Sequence, residues 1–96
     1  MLKAPVVIAE SSAPKLPAGV RLHFDGRRGQ WMILAPERLF VLDPIGLEIV
    51  KRCDGRTKVA ELVDDLTEFF AAPRARILED VLAFLQMFAD KNVVIA

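Results

Sequence analysis

The sequence contains one cysteine, Cys53, and one histidine, His23. A lone cysteine excludes an internal disulfide and any framework that suggests an oxidising compartment. A lone histidine has no convergent His or Cys for metal binding or proton transfer, so a solvated cross-strand position is the plainer reading of His23. No run is long and apolar enough to span a bilayer. The opening MLKAPVVIAESSAP is apolar only from Ala4 to Ala9, broken by Pro5, which is too short for a signal peptide. The chain is therefore read as untargeted and cytoplasmic, with no membrane partner. Net charge is lacking too: 13 Lys and Arg face 13 Asp and Glu, so the overall positive field used in sequence-independent nucleic-acid binding is missing. A glycine-rich phosphate loop, a nucleophile elbow, Cys-x-x-Cys and a histidine pair at helical spacing are all missing. These absences point away from an enzyme and imply no cofactor and no metal.

Apolar residues are abundant, at 53% of 96. That length supports one domain with a modest core and no deep cleft between lobes. Met1 to Ala18, punctuated by Pro5, Pro14 and Pro17, reads as a flexible N-terminal segment (1–18) ahead of a folded domain (19–96). Within it Val6-Val7-Ile8-Ala9 recurs letter for letter as Val93-Val94-Ile95-Ala96. Both copies are β-prone, and either could add to a sheet edge.

The folded part begins at Gly19. Val20 to Phe24 alternates apolar and polar residues, the pattern of a strand with one wet face. Asp25 to Gly29 turns the chain, Gln30 to Leu34 is a second strand, Ala35 to Glu37 a second turn and Arg38 to Leu42 a third strand. This predicts a three-stranded antiparallel meander with the third strand on an edge. Asp43-Pro44 then reads as an N-cap followed by a first helical residue whose missing N–H costs nothing. The first helix stops at Asp54-Gly55, a second follows capped by Thr57, and a third spans about Arg74 to Asp90 before a short terminal strand or tail. The fold class is α+β, winged helix-turn-helix-like, with a β-meander followed by three α-helices.

Two features exceed what a core needs. Trp31 to Leu34 and Leu39 to Leu42 are apolar on both faces, where a half-buried hairpin should alternate. Helix three carries Ile77, Leu78, Val81, Leu82, Phe84, Leu85 and Phe88, wider than one packing stripe, with Leu78 and Leu82 to one side. Cys53 falls on the buried side of helix one, where it acts as a small hydrophobe. The adjacent carboxylates Asp64-Asp65 and Glu79-Asp80 diverge on a helix and form no acid–base pair.

A winged helix on DNA is the competing reading. A groove-entering helix needs Lys, Arg, Asn or Gln. Helix two instead exposes Glu61, Asp64, Asp65 and Glu68, and helix three adds Glu79, Asp80 and Asp90 against Arg74 and Arg76. Basic residues concentrate before Asp43, at Lys3, Lys15, Arg21, Arg27, Arg28 and Arg38. A nucleic-acid partner is not expected.

The line PKLPAGVRLHFDGRRGQWMILAPERLFVLDPIGLEIVKRCDGRTKVAELVDDL, continuing through DVLAFL, closely resembles the PqqD family of pyrroloquinoline quinone (PQQ) synthesis, most specifically from Trp31 to Gly55. The resemblance implies a non-catalytic peptide chaperone that binds the precursor peptide PqqA and presents it to the radical SAM enzyme PqqE. It also implies that the peptide adds a strand to the third-strand edge beside the third helix, where the two apolar surpluses lie. Geometry then suggests Arg38, Leu39, Phe40, Val41 and Leu42 along the strand, and Leu78, Leu82 and Leu85 on the cleft wall, as peptide-binding residues. An apolar edge invites association. Val6 to Ala9 is expected to cover it within its own molecule, as autoinhibition, or in a second copy, giving a homodimer by strand exchange.

Overall fold

The structure, a computed structural model, describes residues 6–96. Three strands, β1 (Arg21–Asp25), β2 (Gln30–Ala35) and β3 (Arg38–Val41), precede three helices, α1 (Pro44–Lys51), α2 (Val59–Phe70) and α3 (Arg74–Asp90). The strands pair antiparallel in the order β1-β2-β3, the α+β meander expected from the sequence. Its second turn is tight. Ala35 pairs with Arg38, leaving Pro36 and Glu37 to reverse the chain, with Glu37 at φ 59°. Proline suits the first central position of such a turn, whereas the positive φ at the second is ordinarily taken by Gly or Asn.

The register puts Leu22, Ile33 and Phe40 in one row on the face that meets the helices, and Ile33 is fully buried there. Met32 points to the opposite face, between His23 and Val41, and is also buried. Central-strand side chains are flanked on both sides, which is why β2 is apolar from Trp31 to Ala35. The edge strand has no such flank, and Leu39 and Val41 stand exposed on that outer face.

Helical periodicity supplies the rest of the core: Ile49 and Val50 from α1, Val59, Leu62, Val63 and Leu66 from α2, and Ile77, Val81, Leu85 and Phe88 from α3. Val93 and Val94 close it from beyond α3. Among the described residues no polar or charged side chain is buried. Asp43 caps α1 as expected, its carboxylate accepting from the Gly46 N–H at 2.7 Å. The cap of α2 is Lys58 rather than Thr57. Thr57 is drawn back to Asp54, which accepts from its hydroxyl at 3.0 Å and from its N–H at 2.7 Å. The Glu61 carboxylate accepts from the Lys58 N–H at 3.1 Å.

Residues 6–18, expected to be a flexible segment, lie against the domain. Ile8 joins the core and Pro14 is fully buried. The first N–H groups of a helix have no partner within it. Here the carbonyls of Ser12 and Glu10 accept from Val59 and Ala60 at the start of α2, at 2.8 and 3.0 Å. Gln86 of α3 accepts from the Ile8 N–H at 2.9 Å and donates to the Val6 carbonyl at 2.7 Å. Lys15 exchanges both backbone hydrogen bonds with Ile95, at 2.8 and 2.9 Å. The two Val-Val-Ile-Ala copies thus go to Gln86 and to Lys15. Neither covers β3 within its own chain, contrary to the expectation of self-cover.

Candidate peptide-binding site

Among the described residues β3 has a strand partner on one side only. In an antiparallel ladder, alternate residues direct both backbone groups to the neighbouring strand. The Leu42 N–H donates to the Trp31 carbonyl at 2.9 Å, so Leu42, Phe40 and Arg38 face β2. Leu39 and Val41 therefore turn their N–H and C=O groups to the open edge. Their side chains are 58% and 54% exposed. The edge is a template for an incoming strand with an apolar outer margin.

On the helical side a groove runs between β3, the start of α1 and α3. One part of it, about 270 Å³, is lined by Val41, Leu42, Asp43, Phe84, Met87 and Phe88. A second, about 230 Å³, is lined by Asp43, Ile45, Gly46, Ile49, Asp80 and Phe84. Aromatic rings form its inner wall: Phe40 meets Phe88 edge-on with centroids 5.2 Å apart, and Phe84 meets Phe88 at 4.8 Å. Gly46 makes the α1–α3 approach tight enough, since a Cβ there would lie 2.9 Å from Cε2 of Phe84.

Of the residues expected at the site, Arg38, Leu39, Phe40, Val41 and Leu42 fall together on the edge strand. Arg38 does not reach outward: its Nη2 donates to the Lys91 carbonyl at 3.0 Å and its guanidinium lies over the Phe40 ring, 5.7 Å from the centroid. The α3 residues are offset from the groove. Leu85 is fully buried in the core, and Leu78 and Leu82 are half-buried against it. At about 100° per residue, Leu78, Leu82 and Gln86 share one flank of α3, while Asp80, Phe84 and Met87 share another. The first flank is where Gln86 holds residues 6–8. Leu78 and Leu82 pack against the core, and Phe84, Met87 and Phe88 are the α3 residues that line the groove. Gly46 was the available signal, a glycine in a helical turn that packs where a side chain could not.

A further apolar cavity, about 460 Å³, adjoins the groove at the Leu42 end of β3, where both are lined by Val41, Leu42 and Asp43, and extends to Trp31, Leu47, Phe69 and Phe70. Trp31 is stacked at a tilt on its cross-strand partner Phe24, centroids 5.1 Å apart.

Cys53 and Asp54 are shifted by their surroundings. Burial, with the Asp54 charge adding to it, pushes the Cys53 thiol up to about 12, and its Sγ donates to the Ile49 carbonyl at 3.3 Å. Asp54 is held below the usual carboxylate range by hydrogen bonds from the backbone N–H groups of Thr57 and Arg56 and from the Thr57 hydroxyl. Among the described residues no three His, Cys, Asp or Glu side chains gather as metal ligands, and no helix is long and apolar enough to cross a membrane.

The sequence model of Coenzyme PQQ synthesis protein D (PqqD) matches residues 30–94. The chain is 44% identical over 87 residues to a protein of Rhodopseudomonas palustris named PqqA binding protein, covering 91% of this chain and 85% of that one. A protein of the same name from Gluconobacter oxydans is 39% identical over 93 residues, covering 97% of both. Among solved structures, the PqqD truncation of Methylobacterium extorquens PqqCD is described as a functional and stand-alone recognition element for ribosomally synthesized and post-translationally modified peptides. It superposes with a TM-score of 0.82 at 38% identity, covering 96% of this chain and 98% of that one. PqqD from Xanthomonas campestris superposes with a TM-score of 0.57 at 38% identity, covering 90% and 96%. With the family model spanning the hairpin and all three helices, and relatives of this identity along nearly the whole chain, the protein belongs to the PqqD family.

Proposed function

We propose that the chain is a cytoplasmic recognition element of PQQ synthesis that binds the precursor peptide PqqA as a fourth strand on β3 and presents it to the radical SAM enzyme PqqE. The observation that carries this is the open edge of β3, with Leu39 and Val41 turned outward beside the Phe84, Met87 and Phe88 groove. Strand addition draws affinity from main-chain hydrogen bonds and selectivity from pockets for alternate side chains, and both are in place along one line. The names of the R. palustris and G. oxydans relatives support the choice of peptide.

In this role the protein orients a peptide and makes or breaks no bond, so it is a carrier rather than an enzyme and needs no cofactor. The acidic exposed face of α2, with Glu61, Asp64, Asp65 and Glu68, disfavours nucleic acid. A homodimer by strand exchange through Val6 to Ala9 has less support, because Ile8 would have to leave the core and the Gln86 contacts.

Calorimetric titration with synthetic PqqA, alone and with PqqE present, tests the proposal. Saturable peptide binding that persists in a complex with PqqE is expected. No binding to the peptide, together with binding to duplex DNA that weakens steeply with salt, would contradict it.

A further inference from the structure

The groove beside β3 is not uniform along its length. At the Arg38 end, Arg38 bridges from the strand to the Lys91 carbonyl at 3.0 Å. One inward position along, Phe40 and Phe88 fill the space between strand and helix with centroids 5.2 Å apart. Among the described residues its cavities lie at the Val41–Asp43 end, and there it is divided. Phe84 and Asp43 line both the cavity of about 270 Å³ and that of about 230 Å³. The Phe84 ring is set at the division by Gly46, whose absent Cβ would lie 2.9 Å from Cε2 and 3.3 Å from Cζ.

These features constrain a strand added to β3. Its side chains alternate between the two faces, and a residue directly opposite another shares its face. Inward side chains would therefore stand opposite Arg38, Phe40 and Leu42, or beyond Leu42. Opposite Arg38 and Phe40 an inward side chain meets the Arg38–Lys91 bridge and the Phe40–Phe88 ring pair. Opposite Leu42 and one inward step beyond it, it meets the two cavities.

We propose that Phe84 sets the register and side-chain selectivity of the bound peptide, taking two apolar side chains two residues apart, one on each side of its ring, at the Leu42–Asp43 end of the groove. The inference rests on strand addition to β3 as proposed above and specifies which peptide positions that site reads. Phe84 touches the ligand and limits how large a side chain each cavity admits. Gly46 acts through Phe84 as a positioning residue.

The test uses the full chain and synthetic PqqA peptides carrying single alanine substitutions, with affinities from calorimetry. Two positions, two residues apart, are expected to lose at least about tenfold each, the scale of one buried aliphatic side chain. A peptide in which either anchor is enlarged to Trp is expected to bind the wild-type chain about tenfold more weakly than its parent. The same peptide should bind Phe84→Ala at least as well as its parent does. A merely structural role for Phe84 would weaken both peptides alike, and Phe84→Leu, which keeps an apolar filler, should give an intermediate preference. Sensitive positions that are adjacent, or that lie opposite Arg38 to Val41, would overturn the register. An equal loss for both peptides on Phe84→Ala would overturn the selectivity. Failure of the unsubstituted peptide to bind overturns strand addition itself and the register with it.

Discussion

A Cβ on Gly46 would lie 2.9 Å from Cε2 of Phe84, closer than two carbons can approach without one moving. The contact joins the first turn of α1 to the middle of α3 and fixes one wall of the groove. It also gives a glycine inside a helix a packing reason, since glycine otherwise costs about 1 kcal/mol there relative to alanine.

Gly46→Ala therefore sets two effects against each other. Helix propensity gains about 1 kcal/mol, while overpacking costs about 1–3 kcal/mol. The ring has the groove to move into, but the added Cβ would also lie 3.0 Å from Oδ1 of Asp43, which caps α1, so the expected outcome is a net loss of about 1 kcal/mol. It should be accompanied by shifts of the Phe84 ring protons and weaker peptide binding. Thermal unfolding and ring-proton spectra check this, and a stabilised variant with an unmoved ring would contradict the contact.

The hold on residues 6–8 is measurable through Gln86. Gln86→Ala removes the acceptor for the Ile8 N–H and the donor to the Val6 carbonyl. The expected cost is about 1–2 kcal/mol, because the part-buried Ile8 N–H is left unpaired. A lowered urea midpoint with faster exchange of the Ile8 amide is the signature. An unchanged midpoint would mean that the segment does not contribute to the fold.

Asp54 carries a pH dependence whose sign is determined. Its folded pKa lies below the ordinary carboxylate value because the charged form accepts hydrogen bonds from Thr57 and Arg56. Its stabilising contribution is thus fully present above the unfolded pKa of about 3.9 and is lost as pH falls through the lower folded value. The stability difference between wild type and Asp54→Ala should be constant from about pH 5 to 8 and shrink below about pH 4. Denaturation curves across that range check it.

Much of the fold is legible from local pattern. Asp43-Pro44 caps α1, Asp54-Gly55 separates α1 from α2, and the alternating β1 followed by apolar β2 and β3 gives the meander in order. What escapes is non-periodic. Residues 6–18 pack through Pro14, Ile8 and backbone carbonyls, none of which leaves a helical or strand period in the sequence. On α3 the apolar surplus is visible but its direction is not. Leu78 and Phe84 are both apolar, and nothing local in the sequence shows that Leu78 packs against the core while Phe84 lines the groove. The edge strand was readable because a short turn after Ala35 leaves β3 only one neighbour.

Cys53 should be inert in the folded protein. With its thiol pushed up to about 12 by burial, it remains protonated at pH 8, where an exposed cysteine is partly thiolate. Labelling by a thiol reagent at about pH 8 should follow unfolding rather than reagent concentration. Rapid labelling of the native protein would contradict its burial.

Strand addition makes its sharpest statement in backbone amides. Leu39 and Val41 direct their N–H groups to the open edge, whereas the Leu42 N–H is already bonded to Trp31 and Phe40 faces β2 in the same way. Hydrogen exchange read residue by residue, with and without synthetic PqqA, should show Leu39 and Val41 gaining protection on binding while Phe40 and Leu42 change little. Uniform change along β3, or protection at Trp31, Phe69 and Phe70 with Leu39 unaffected, would contradict binding at this edge.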